Sequence, residues 1–247
     1  MNLLALDNVN FGYEKTQQVL HDVSFSVRKG INVGLVGESG SGKSTILRLL
    51  LGLGAADSGS ITFSGEPLDP RDRNFMRRYR KSVQPVFQDP YSSLDPRQRI
   101  DRIIAEPLRS LRIEGDRGAA IAAALEAVGL PPDAAQRYPH AFSGGQRQRI
   151  AIARAIVSGP QVLLADEAVS ALDLSTRVRI VDLLKTLSAS LTVLLVSHDL
   201  GVVAALCEEI VILEKGRVIE AGRTRDVLAN PRHPYTQKLL SSVPRLR

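Results

Sequence analysis

The segment Ile31-Asn32-Val33-Gly34-Leu35-Val36-Gly37-Glu38-Ser39-Gly40-Ser41-Gly42-Lys43-Ser44 constrains this chain more than any other. A short apolar run stops at a glycine-rich loop, and Thr45 to Leu53 then reads as a helix ended by Gly52 and Gly54. The loop has the spacing G-x-x-x-x-G-K-[ST], which average residue frequencies produce by chance in about 1% of chains this long. Glycines let the backbone curl so that successive N–H groups converge, and the following helix adds its positive end. Such a loop is built to hold phosphate. In this pattern Lys43 supplies charge to the β and γ phosphates, and Ser44 supplies a hydroxyl to Mg²⁺.

The rest of the chain fits an α/β fold. Leu4-Ala5-Leu6, Val23–Val27 and Ser60–Phe63 read as strands near the start. Val162–Ala165, Thr192–Val196 and Ile210–Leu213 are apolar runs near the end, separated by helical stretches at Ser175–Ser188 and Leu200–Cys207. Strands alternating with helices predict a mostly parallel sheet with helices on both faces. The middle is helical instead, from about Asp101 to Gly129 and again from Gly144 to Val157, and reads as an inserted subdomain. The expected division is 1–89 and 156–230 for the two parts of the core, 90–155 for the helical subdomain and 231–247 for a C-terminal tail.

Composition removes several classes. At 247 residues the chain has length for one domain or two. Hydrophobic residues at 44% and charged residues at 23% exclude a largely disordered chain. Cys207 is the one cysteine, so neither an internal disulfide nor a cysteine-held metal cluster can form within one chain. No 18-residue apolar stretch is present to span a bilayer, and Met1–Asp7 has no basic region, so no secretory signal is expected. A net charge of +6 permits binding to phosphate, nucleic acid or an anionic membrane face. With no tryptophan and 4% aromatic residues, a base-stacking nucleic-acid binder is disfavoured.

Two further motifs carry chemistry. Val162–Ala165 ends in Asp166-Glu167, which places carboxylates at the carboxyl edge of a sheet, where open α/β sheets bind ligands. Asp166 would hold Mg²⁺ through water, and Glu167 would orient or deprotonate an attacking water. Ser143-Gly144-Gly145-Gln146 opens a helix and forms a second anion cradle or, read more simply, a helix N-cap with a turn. Arg71–Lys81 holds a basic cluster that reads as a solvated helix face, with docking to an anionic lipid surface or an acidic partner, or to nucleic acid, as the other options. Cys207 lies among Val202, Val203, Ala204 and Leu206 and reads as a packed hydrophobe.

Taken in order, Gly37–Ser44, Gln88, Ser143–Gln146, Asp166-Glu167, Asp173 and His198 resemble the ATP-binding cassette (ABC) ATPases across nearly the whole chain. The resemblance implies a P-loop NTPase (RecA-like) core with an N-terminal antiparallel β portion and an inserted α-helical subdomain, with ATP and Mg²⁺ as ligands. In that family two cassettes face head to tail. Each ATP lies between the phosphate loop of one, here Gly37 to Thr45 with Glu38, Ser39, Gly40, Ser41 and Gly42, and the Ser143–Gln146 segment of the other. The resemblance assigns Tyr13 to adenine stacking and Gln88 to Mg²⁺ or the attacking water. It assigns Asp173 to the joint between cassettes and His198 to the γ-phosphate. Phe142 stands where leucine is frequent, Ala141 where an acid is frequent, and Ala168-Val169 where proline and threonine are usual. The acids are intact, so hydrolysis is still expected.

Phe87–Arg97, Arg137–His140 and Asn230–Thr236 are similar to the importer ATPases for dipeptides, oligopeptides and nickel. That resemblance implies two integral membrane permeases as partners and an extracytoplasmic solute-binding protein as an indirect one. It also implies a second ATPase, homologous or an identical copy, and a place at the cytoplasmic face of the membrane. The alternative is a soluble ABC ATPase of translation or DNA repair. Such proteins often carry two cassettes or a long coiled-coil insertion, and this chain has neither. A non-hydrolysing nucleotide sensor is a third reading, opposed by Glu167 and His198. No nucleic-acid partner is expected.

Overall fold

Leu4, Leu6, Val9 and Phe11 turn one face of the first segment inward, and Leu20, Val23 and Val27 do the same for the second. The two pair antiparallel as β1 (Asn2–Glu14) and β2 (Gln17–Arg28) in a computed structural model that describes residues 1–14, 17–170 and 172–241. The alternation skips a residue between Leu6 and Val9, where the register shifts and Asn8 takes φ 49°. An extra residue in one strand keeps both halves of the apolar face pointing inward.

Along the chain follow β3 (Val33–Val36), α1 (Lys43–Leu50), β4 (Ser58–Phe63), β5 (Glu66–Pro67), α2 (Arg73–Ser82), β6 (Val83–Val86) and α3 (Pro90–Ser93). Next come α4 (Ile100–Ile104), α5 (Glu106–Ser110), α6 (Arg117–Ala127), α7 (Gly144–Ile156), β7 (Val162–Asp166) and α8 (Leu174–Leu187). The chain closes with β8 (Thr192–Ser197), α9 (Leu200–Leu206), β9 (Glu209–Glu214), β10 (Arg217–Arg223), α10 (Thr224–Ala229) and α11 (Pro234–Ser241). These elements form two compact units, Met1–Met76 with Thr192–Arg247, and Arg77–Leu191.

The first unit holds an antiparallel sheet in the order β2-β1-β4-β5 and a second sheet in which β3 lies between β8 and β9. β3 pairs parallel with both, Val33 facing Leu194 on one side and Glu209 on the other, and β10 pairs antiparallel with β9. Val33, Leu35, Val193–Leu195, Ile210 and Ile212 are fully buried, as parallel strands covered on both faces require. At the head of β3 the buried Asn32 accepts from Val193 N–H at 2.9 Å and donates to Leu206 C=O at 3.1 Å. Its own N–H donates to Glu208 at 2.7 Å.

The second unit pairs β6 with β7 in parallel, Val83 facing Val162 and Val86 facing Ala165. Its helical region is more broken than the sequence pattern predicts. The expected run from Asp101 to Gly129 divides into α4, α5 and α6, with Pro107 near the start of α5 and Gly115 at φ 124° ahead of α6. Proline lacks the N–H that a continuous helix would need there. In α2, Phe75, Met76 and Tyr79 are buried while Arg77, Arg78, Arg80 and Lys81 are exposed, so the basic cluster is the outer face of an amphipathic helix. Cys207 is buried, and its burial pushes the thiol far above its ordinary range, as a packed hydrophobe would show. Residues 242–247 of the expected tail, and Ala171, lie outside the described residues.

Candidate nucleotide site

In the first unit the glycine loop joins the end of β3 to α1, which starts two residues earlier than the sequence pattern suggests, at Lys43. Gly40 and Gly42 take φ 80° and 108°, a backbone that residues with a Cβ rarely adopt, and Gly42 is the residue from which the helix starts. A Cβ on Gly37 would lie 2.3 Å from Leu213 C=O, so only glycine fits where the loop leaves the sheet. Lys43 is buried, and its Nζ donates to Gly37 C=O at 2.7 Å and Glu38 C=O at 2.8 Å. The loop is held from behind by the β9–β10 turn, where Gly216 N–H donates to Ser41 C=O at 2.9 Å.

This loop fits a phosphate chain. Ser41 Oγ is buried with no hydrogen-bond partner among the described residues, an orphaned donor that a phosphate oxygen would satisfy. Lys43, two residues on in the same loop, is buried as well. Glu38, Ser39 and Gly40 are exposed at the crest, and the Glu38 carboxylate turns outward to Lys238 at 3.1 Å. Glu38 therefore offers the loop its backbone and not its charge. Glu38 N–H donates to Tyr235 Oη of α11 at 2.8 Å, a contact that the sequence pattern did not reveal.

Tyr13 is 56% exposed at the end of β1, a ring surface open to an aromatic base. Phe11 meets it edge-on at 5.2 Å, and its hydroxyl lies 3.2 Å from Thr45 Oγ1. The adenine-stacking candidate is thus tied to the first turn of α1. Asp57 sets the approach to Tyr13 by accepting from Gly12 N–H at 2.7 Å. His198 is exposed directly after β8. Val36 and Ser197 are paired, so Gly37 and His198 leave neighbouring parallel strands at one edge. Asp199 then caps α9, accepting from Gly201 N–H at 2.9 Å and Val202 N–H at 3.2 Å.

In the second unit the pairing of Val86 with Ala165 brings Gln88 and Asp166-Glu167 to one strand edge. Glu167 takes φ 42°, a left-handed backbone that costs a non-glycine residue about 1 kcal/mol or more and concentrates at functional sites. Ser170 locks this turn, with N–H and Oγ each donating to Glu167 C=O at 3.0 Å. Gln88 Nε2 donates to Ser170 Oγ at 3.2 Å, so Ser170 couples two predicted site residues and had no motif of its own. Ala168 and Val169, which follow in this turn, are buried.

Ser143 caps α7 in a reciprocal box with Gln146, whose Oε1 accepts from Ser143 N–H at 3.0 Å. The N-cap reading is thus realised, and the N–H groups of Gly144 and Gly145 open the helix. Both glycines are only partly exposed. A Cβ on Gly145 would lie 2.3 Å from Thr176 Cγ2, whereas one on Gly144 would meet only Tyr91 Oη at 3.8 Å. Asp173 is the N-cap of α8, accepting from Ser175 Oγ at 2.7 Å and Thr176 N–H at 3.0 Å. Hydrogen bonds from the Ser175 hydroxyl, and then from Thr176, hold its carboxyl well below the usual carboxylate range.

Ser44 of the first unit offers a hydroxyl oxygen, and Gln88 and Asp166 of the second offer an amide and a carboxylate oxygen, each of the hard ligand class that Mg²⁺ takes. Ser44 is exposed in the first turn of α1, and Asp166 is half-buried at the end of β7. Among the described residues no cluster of His, Cys, Asp and Glu offers a competing metal site. Among the described residues no helix is long and apolar enough to cross a membrane.

The ABC transporter family model matches residues 20–170, and that of the oligopeptide/dipeptide transporter C-terminal region matches residues 219–247. A protein of Brucella ovis named for peptide import ATP binding is 46% identical over 233 residues, covering 93% of this chain and 74% of the relative. Glutathione import ATP-binding protein GsiA of Escherichia coli is 49% identical over 226 residues, but the match spans only 36% of it. Among solved structures, cbiO1 of Clostridium perfringens, part of the ABC transporter complex cbiONQ, superposes with a TM-score of 0.84 at 26% identity, covering 93% of this chain and 91% of that one. The ATP-binding cassette MJ0796, solved as a dimer bound to ADP and phosphate after hydrolysis, gives 0.77 at 30% identity over 90% of this chain and 99% of that one.

Proposed function

Because this chain belongs to the ABC transporter family, we propose that it is the ATP-hydrolysing subunit of a bacterial importer for short peptides. The peptide assignment rests on the C-terminal region match at 219–247 and on relatives named for peptide and glutathione import. The nucleotide assignment rests on one observation above all: a buried lysine ammonium and an orphaned serine hydroxyl within a single glycine loop.

In this reading the loop Gly37–Thr45 binds the phosphates, Tyr13 stacks on adenine, and His198 contacts the γ-phosphate. Ser44, Gln88 and Asp166 would hold Mg²⁺, which when bound would supply positive charge to the phosphates. Glu167 orients the water that attacks the γ-phosphorus. The bond to the bridging oxygen breaks, ADP leaves, and the proton of the water passes through Glu167 to solvent. Ser143–Gln146 of a paired cassette caps the triphosphate, with Asp173 near the joint. Two permeases receive the resulting motion at the cytoplasmic face of the membrane, and a binding protein outside delivers solute to them. We retain the division into 1–89, 90–155, 156–230 and 231–247 as the functional parcelling of the chain.

Glu167→Gln tests the assignment. ATP binding should persist while turnover falls at least about 100-fold, the floor for losing acid–base help. Phosphate release and nucleotide affinity are measured on the same preparation. Unchanged turnover removes Glu167 from the chemistry.

A further inference from the structure

We propose that Tyr235, on the C-terminal helix α11, is a positioning residue for the phosphate loop. It fixes the Gly37–Glu38 peptide and, through it, the Lys43 ammonium. The inference rests on the nucleotide reading above. It assigns to the C-terminal region a task inside the site, apart from any role in choosing solute.

The geometry is local and lies within one unit. Glu38 N–H and Gly37 C=O belong to one peptide plane. The N–H donates to Tyr235 Oη at 2.8 Å, and the C=O accepts from Lys43 Nζ at 2.7 Å. The peptide is therefore gripped at both ends, by a residue 197 positions away on one side and by the loop lysine on the other. Hydrogen bonds in series polarise one another, so the Tyr235 contact also strengthens the carbonyl that holds the ammonium. Without the Tyr235 hydroxyl that peptide is gripped at one end only, by the lysine that it in turn has to position.

Tyr235 is itself rigidly placed. The residue is 7% exposed, and Thr236 beside it is fully buried. Burial pushes the phenol up, so it stays neutral and keeps its hydroxyl proton at physiological pH. The entrance to α11 is fixed by Glu220 of β10, whose two carboxylate oxygens accept from Arg232 N–H at 3.0 Å and His233 N–H at 3.2 Å. Gln237 Nε2 donates back to Pro231 C=O at 3.0 Å. By contrast Lys238 reaches the same loop through an ion pair whose side chains are 70% and 53% exposed, and such pairs contribute little.

The test compares Tyr235→Phe with Lys238→Ala and Lys43→Ala in the full chain, with ATP and inorganic tripolyphosphate as probes. Tyr235→Phe keeps the ring in place. It should leave the ligand-free melting temperature nearly unmoved and weaken both probes by about threefold to tenfold, the size of one net hydrogen bond. A purely structural role would move the melting temperature and spare the affinities. Lys238→Ala should stay within about twofold of the parent. Equal affinities in Tyr235→Phe and the parent overturn the inference, provided that Lys43→Ala loses binding. If Lys43→Ala also binds normally, the nucleotide reading itself fails. A second measurement needs no variant: the Glu38 amide should exchange with deuterium slowly in the ligand-free chain. Exchange at the rate of an open loop amide refutes the contact.

Discussion

At the scale of single residues, Asp173 shows how an exposed acid can be committed before any partner arrives. Its carboxylate already takes hydrogen bonds from Ser175 and Thr176 and faces the positive end of α8. A carboxyl held below its ordinary range stabilises the fold above the unfolded pKa of about 3.9 and loses that contribution as pH falls toward the folded value. Asp173→Asn keeps a capping oxygen and removes the charge. The parent should therefore melt above the variant by a constant margin from about pH 5 upward, and that margin should shrink below about pH 4. Thermal unfolding across pH reads this directly, and a margin that grows in acid contradicts it. Lys43, Ser143 and Glu167 stood out as candidates in the sequence because their motifs are written in contiguous spacing. Ser170 and Tyr235 were not, because each acts through a contact 82 and 197 residues distant. No local pattern marks a serine as the tie between Gln88 and the Glu167 turn.

At the scale of elements, the two glycines that open α7 are not equivalent. Gly145 stands against Thr176 of α8 with no room for a methyl group, whereas a methyl group on Gly144 would make only an ordinary contact with Tyr91 Oη. Gly145→Ala should lower stability by about 1–3 kcal/mol, the usual cost of overpacking, as α7 and α8 separate or Thr176 rotates. Gly144→Ala should be neutral or slightly stabilising, within about 1 kcal/mol, because alanine is the better helix former. Urea denaturation of the two variants checks the contrast, and equal effects would mean that the packing is softer than the geometry shows. The sheet strands were legible because buried parallel strands write continuous apolar runs, as Val162–Ala165 and Thr192–Val196 do. The helical middle was legible in kind but not in number, because Pro107 splits what periodicity alone would join. The short helices α3, α10 and α11 carry too few turns to declare a period.

At the scale of the whole molecule, the chain carries one lysine-bearing loop and one serine-led cap, in separate units. In the proposed reading a second chain supplies the cap to a nucleotide bound at the loop. Phosphate release per chain should therefore climb with concentration, or on adding a homologous ATPase, in step with association seen by sedimentation. A monomer with concentration-independent turnover would refute the pairing. The family and its α/β architecture were readable from the linear order of motifs, and the 20–170 match and the superposition on cbiO1 agree with that order. The exact borders of the two units were not readable, since α2 crosses from one to the other at Met76–Arg77 without any break in its helical pattern.

Asn32 has a consequence for assembly of the fold itself. One amide side chain joins β8 and the end of α9 at the head of β3, in surroundings that exclude water. Apolar strands such as β3, β8 and β9 could slide past one another with little change in greasy contact. Sliding by a single residue would strand the Asn32 amide, the Val193 N–H and the Leu206 carbonyl without mates, a penalty of about 1–3 kcal/mol for each. The asparagine thus works as an alignment key, so that when the sheet closes, the loop and His198 emerge level with each other.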